Sequence, residues 1–151
     1  MEMNKKILIA VDESKNAARA VDYVGRMLGG IAGFTVTLLH VIPDPDEDFF
    51  PSPEDRQAWL KNYTERMETV LDDYRRALIK AGFDGSAVEV RIHLRYCPSM
   101  AECILNERGT LDHGTIVVGR QGLSRSEEFL FGSISSKIVN HAKNCTVWVV
   151  G

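Results

Sequence analysis

Residues 6–30 open with Lys6-Ile7-Leu8-Ile9-Ala10-Val11-Asp12 and close with Gly29-Gly30, and the period of the apolar residues changes between the two. Ile7 to Val11 is a short continuous apolar run halted by a carboxylate, the signature of a buried strand. Ala17, Ala20, Val21, Val24, Met27 and Leu28 then recur at helical spacing, and the glycine pair ends the helix. A strand feeding a helix is half of a βαβ unit, and the pattern repeats along the chain. Residues 34–42 read as a second strand, 54–80 as a long helix with Trp59, Tyr63, Met67, Leu71 and Leu78 on its apolar stripe, and 98–108 as a short helix. Thr115 to Val118 reads as a fourth, fully apolar strand, residues 132–142 as a helix with Ile134, Ile138 and Val139 inward, and Thr146 to Val150 as the last strand. The third strand differs: Val88, Val90, Ile92 and Leu94 alternate with Glu89, Arg91 and His93, which leaves one wet face and predicts an edge. Strands separated by crossovers of this length form an α/β doubly wound, mainly parallel sheet with helices on both faces.

Composition sets the outer bounds. A chain of 151 residues fits a single domain over 1–151 and can bury a proper core. The formal net charge of -3 gives no positive field for nucleic acid or anionic membrane, so neither is an expected partner. No apolar run is long enough to span a bilayer, and Ile7 to Val11 is too short for a signal-peptide core, so the expected location is cytoplasmic. Cys97, Cys103 and Cys145 show no C-x-x-C spacing, and a helix carrying the first two would not bring them onto one face; they are expected to be inert free thiols. Pro43 to Asp55 holds four of the five prolines and six acidic residues, and reads as a loop without helix or strand.

The stretch that carries chemistry is Val118-Gly119-Arg120-Gln121-Gly122, followed after nine residues by Gly132-Ser133. Glycines let backbone N–H groups turn toward a ligand with no Cβ in the way. A helix opening at Ser133 adds unpaired amide donors, a partial positive charge and a hydroxyl. Together these make a phosphate nest.

These residues carry a resemblance to the universal stress protein family over essentially the whole chain. Gly119, Gly122, Gly132 and Ser133 match its G-x2-G-x9-G-[ST] signature, and residues 6–12 are similar to its first strand with the terminal aspartate. Leu39-His40-Val41 resembles the end of its second strand, and Asn140-His141-Ala142 with Val147 to Val150 its closing helix and strand. The resemblance implies a five-stranded sheet in the order 3-2-1-4-5 and binding of ATP, with Mg²⁺. Asp12 would contact the ribose, Ala10 and Val41 would line the adenine, and the glycines with Ser133 would hold the phosphates; Val11, Val118, Gln121 and Ile134 complete the implied site. It also implies a homodimer joined through the last strand, residues 146–150. The implied role is a stress-response or regulatory protein with the nucleotide as effector. The alternatives are a nucleotide-free dimeric interaction protein of the same family, or a slow ATPase.

Other motifs add little. Neither G-x-G-x-x-G after the first strand nor G-x4-G-K-[ST] occurs, so the dinucleotide and P-loop readings fail. Asp44, Asp46 and Asp48 have the opening spacing of a calcium loop, but Phe49 stands where its glycine must be. His40, His93 and His141 pair with no nucleophile and read as structural, no catalytic residue or general base is identifiable, and the chain is expected not to be an enzyme. Glu127-Glu128 lies in the glycine loop, where carboxylates weaken phosphate affinity unless they face solvent, with Arg120 and Arg125 as compensating charges.

Overall fold

The structure, a computed structural model, describes residues 3–120 and 133–151. Five strands, β1 (Lys6–Ala10), β2 (Thr35–Pro43), β3 (Val88–Arg95), β4 (Thr115–Gly119) and β5 (Thr146–Val150), form one sheet in the order β3-β2-β1-β4-β5. Every neighbouring pair is parallel, so "mainly" becomes "entirely". β3 lies at an edge, as its alternating sequence requires.

Helices cover both faces. On one side α1 (Lys15–Leu28) and α2 (Pro53–Ala81) bury Ala20, Val24, Met67 and Leu71 against Ile7, Ile9 and Leu38. On the other, α3 (Met100–Leu111) and α4 (Ser133–His141) bury Ala101, Ile104 and Ile138 against Leu8, Leu39 and Ile116. α4 turns only Ile138 and Ser135 fully inward; Ile134 and Val139, expected to be inward, stay exposed.

The acidic, proline-rich segment is more ordered than composition suggests. Pro43 closes β2, Glu47–Phe49 forms a 3₁₀ turn, and Pro53 is the first residue of α2 behind the N-cap Ser52, whose side chain accepts the Asp55 amide. Both prolines stand where a missing N–H costs nothing. The first turn of a helix has no partner for it. At Pro43, Leu39 on the same side of β2 accepts the Val11 amide, but β1 has already ended at Ala10. Twenty-nine residues make α2 about 43 Å long, against about 30 Å for the nine-residue β2, so the helix overruns the sheet. Its overhang carries the half-exposed Trp59, stacked on Tyr63 at 5.2 Å and near Phe50 at 5.8 Å.

Cys97 and Cys103 are joined in a disulfide, which corrects the expectation of free thiols; Cys145 is free. The spacing argument assumed one helix carrying both. Cys97 instead lies in the turn before the N-cap Ser99, and Cys103 in the first turn of α3, with Cα atoms 6.0 Å apart.

Candidate functional site

The strand order reverses between β1 and β4, which leave the sheet with their connections on opposite faces. Beyond their carboxyl ends lies a cleft of about 330 Å³, lined by Ala10, Val11 and Asp12 of the β1 exit and Val118 and Gly119 of β4. Val41, Ser133 and Ile134 also line it, so the structure brings all these sequence-predicted positions together. Gln121, Gly122 and Gly132, with Arg125, Glu127 and Glu128, lie outside the described residues. Sequence reasoning did not name Ser14, Leu39, His40, Met100, Ile104 or Arg120 among the lining residues. Met100 and Ile104 had a readable signal, an i,i+4 apolar pair opening a helix.

The β1 exit is held from three sides. Val11 donates its amide to the Leu39 carbonyl at 2.8 Å, and its own carbonyl accepts from His40 Nδ1 at 2.7 Å. A carbonyl only accepts, so Nδ1 carries the proton, and the bare Nε2 takes the Tyr63 hydroxyl hydrogen at 2.9 Å. The Tyr74 hydroxyl donates to the Asp12 carbonyl at 2.7 Å. Burial first, then the carboxylates of Asp12 and Glu13, push the Tyr74 phenol up to about 12. Burial likewise raises Tyr63, partly opposed by Arg66. Both phenols therefore remain donors at neutral pH. His40 thus has both ring nitrogens engaged, and the peptide it steadies belongs to the cleft.

Asp12 does not cap α1. Ser14 does, its hydroxyl accepting the Ala17 amide at 3.1 Å, while Asp12 Oδ1 accepts the Ser14 amide at 2.8 Å. With Oδ1 engaged, Oδ2 is the oxygen of this exposed carboxylate left for a further contact. Gly119 also has a second reason to be glycine. A Cβ there would stand 2.8–2.9 Å from the backbone and Cβ of Asn16, so the missing side chain lets the first turn of α1 close on the β4 exit. The β4 exit is fixed in turn: Arg120 donates its amide to the Val150 carbonyl at 2.7 Å, and its carbonyl accepts the Ser135 hydroxyl at 2.7 Å.

The result is an apolar slot walled by Ala10, Leu39, Val41, Ile104 and Val118, with a carboxylate at the β1 exit and the Ser133 hydroxyl where α4 begins. This is the arrangement of an open α/β domain that takes small ligands at the switch point of its sheet. Among the described residues no group of three His, Cys, Asp or Glu is placed to hold a metal, and no helix is long and apolar enough to cross a membrane.

The chain belongs to the universal stress protein family, whose sequence model matches residues 3–151. No curated protein matches its sequence. Among solved structures it is similar to the hypothetical protein MJ0577, with 26% identity, a TM-score of 0.79, and 99% of this chain and 96% of that one covered. It shares its fold with an Archaeoglobus fulgidus universal stress protein solved in complex with dAMP (21% identity, TM-score 0.66, 99% and 100% covered). The same holds for a universal stress protein solved in complex with cAMP (16% identity, TM-score 0.70, 99% and 98% covered).

Proposed function

We propose that this protein binds an adenine nucleotide, ATP with Mg²⁺, in the cleft between the β1 and β4 exits, and that the nucleotide acts as effector of a homodimeric stress-response or regulatory protein. One observation carries the reading: the Asp12 carboxylate and the Ser133 hydroxyl open on the same apolar slot. The slot suits a planar base between Ala10, Val41 and Val118. A carboxylate oxygen suits the ribose hydroxyls, and the start of α4 offers amide donors and a positive dipole end to phosphate. Gly119 and Ser133 are the described members of the G-x2-G-x9-G-[ST] signature, and Gln121, Gly122 and Gly132 are proposed to complete the phosphate nest. Mg²⁺ would arrive on the phosphates. Support also comes from the fold relatives solved with dAMP and cAMP, both adenine nucleotides.

The test is a thermal scan with and without nucleotide. Ligand at a hundred times its Kd stabilises by about 2.7 kcal/mol, or roughly 5–10 °C in a chain of this size. ATP is expected to give that shift, and Asp12→Ala to reduce it. No shift at millimolar ATP would remove the reading. Phosphate is expected to stay on the nucleotide over hours, and catalytic release would move the protein into the slow ATPases.

A further inference from the structure

The Cys97–Cys103 disulfide stands behind one wall of the cleft. Cys103 sits between Met100 and Ile104, both of which line the slot, and Cys97 lies at the end of the connection from β3. Both cysteines are half-buried against the apolar cluster of Leu39, Val41, Ile104 and Val118, which also builds the slot. They are packed on the core yet within reach of a small thiol.

α3 is held differently at its two ends. Toward its C-terminus Glu107 accepts from His93 Nδ1 and Arg95 Nε, each at 2.9 Å, and Arg108 donates to the carbonyls of His113 and Lys143, each at 3.3 Å. None of these bonds involves a cysteine. The first turn has the covalent link, the Cys103 amide on the Ser99 carbonyl at 3.1 Å and the long Ser99 cap, whose hydroxyl accepts the Glu102 amide at 3.4 Å. Opening the disulfide therefore removes the covalent tie between the turn that carries Met100 and the connection from β3, while the bonds at Glu107 and Arg108 stay in place. In a compartment that keeps thiols reduced, disulfides are as a rule transient and either catalytic or redox-sensing.

We propose that Cys97 and Cys103 are a reversible thiol–disulfide pair that clamps the α3 wall of the cleft, tight when oxidised and loose when reduced. That the clamp regulates nucleotide affinity rests on the function proposed above. Closure by a low-molecular-weight disulfide balances as two exchanges. One cysteine thiolate attacks a sulfur of the small disulfide, forming a mixed disulfide and releasing one small thiolate. The second cysteine thiolate then attacks the mixed disulfide at the protein sulfur, forming the Cys97–Cys103 bond and releasing the second small thiolate. The two protons of the cysteines end on the two released thiols.

The experiment uses the full chain equilibrated with glutathione disulfide or with dithiothreitol. Alkylation and mass spectrometry should find Cys97 and Cys103 blocked together in the first condition and free in the second; two free thiols in both would overturn the proposal. Reduction should speed amide exchange over residues 97–104 and leave 105–111 unchanged, and equal exchange in both states would overturn the clamp. ATP should bind the reduced form about three- to tenfold more weakly, the size expected when a preorganised wall must be ordered on binding. A Cys97→Ser, Cys103→Ser double variant should match the reduced form and ignore redox state, while Cys145→Ser should keep the response. Equal affinity in the two states would overturn the regulation. If neither state binds ATP the nucleotide reading falls, and amide exchange still decides the clamp.

Discussion

At one edge of the sheet β3 carries Glu89, Arg91, His93 and Arg95; at the other β5 reads Thr146-Val147-Trp148-Val149-Val150 without a charge. The charged edge is finished within the chain. Arg75 donates from Nε to the outward Val88 carbonyl at 3.2 Å and from Nη2 to Gly85 at 2.8 Å, Glu89 pairs with Arg91, and Glu107 ties His93 and Arg95 to α3. The apolar edge is finished differently. Thr146 donates to the Gly114 carbonyl and Arg120 to the Val150 carbonyl, so the even-numbered residues of β5 bond to β4 and the backbones of Val147 and Val149 face away. Among the described residues no backbone group bonds them. Charge and an arginine clasp can blunt an edge; an unblunted apolar edge is open to a second strand, which in the proposed homodimer is a second copy of β5 about a two-fold axis.

The largest effect that would break this contrast is loss of association. Val149→Pro removes an outward N–H without touching the β4 ladder, so the variant is expected to fold and to scatter light as a monomer. A parent protein that is already monomeric at micromolar concentration, or a variant that remains dimeric, would end the proposed pairing.

Next in size is the anchor of the charged edge. Glu107 is 7% exposed and answers two cationic donors. Glu107→Ala would leave His93 and Arg95 without that partner and uncouple α3 from β3. The Arg95 side chain left behind is 49% exposed, so the expected cost is about 1.5 kcal/mol, the low end for hydrogen bonds to charged groups, read as a lower urea midpoint with unchanged slope. A change below about 0.5 kcal/mol, the ordinary range for a surface site, would show that backbone pairing alone holds this edge.

The two edges also mark how far the sequence could be read. The β3 edge was legible because strict alternation of Val88, Val90 and Ile92 with charged residues has one physical meaning. So was the place of the cleft, since Asp12 and Gly119 end two strands of opposite crossover. What stayed hidden depends on pairs distant in sequence or on residues just outside an element. No local pattern places the Asn16 backbone against Gly119, or moves Cys97 off the helix that carries Cys103. The prolines of the acidic loop misled because their cost depends on which neighbour they face. At Pro43 that neighbour, β1, had already ended, and at Pro53 a helix was just beginning.

The smallest predicted effect sharpens the electrostatics under the charged edge. His113, 4% exposed, donates from Nε2 to the Thr37 hydroxyl oxygen at 2.9 Å, because that hydroxyl gives its own hydrogen to Glu89 Oε1 at 3.1 Å. The ring is thus protonated on Nε2, and Nδ1 is buried with no hydrogen-bond partner among the described residues. Burial first, then Lys6, holds His113 below its ordinary 6.5. The hydrogen bond from Arg91 holds the Glu89 carboxyl below 4.5, a separate and more acidic window. As pH falls through 6.5 the unfolded chain takes up a proton that the folded chain refuses. The contribution of His113 is therefore full above that pH and lost below it, down to its folded pKa, with a limiting slope of about 1.4 kcal/mol per pH unit. His113→Gln keeps a donor for Thr37 and removes the titration. Stability of parent and variant measured by urea from pH 7.5 to 5.0 should therefore converge as the solution is acidified, the parent losing more. The remaining histidines are common to both proteins and cancel in the difference, so parallel curves would show that His113 takes its proton as readily folded as unfolded.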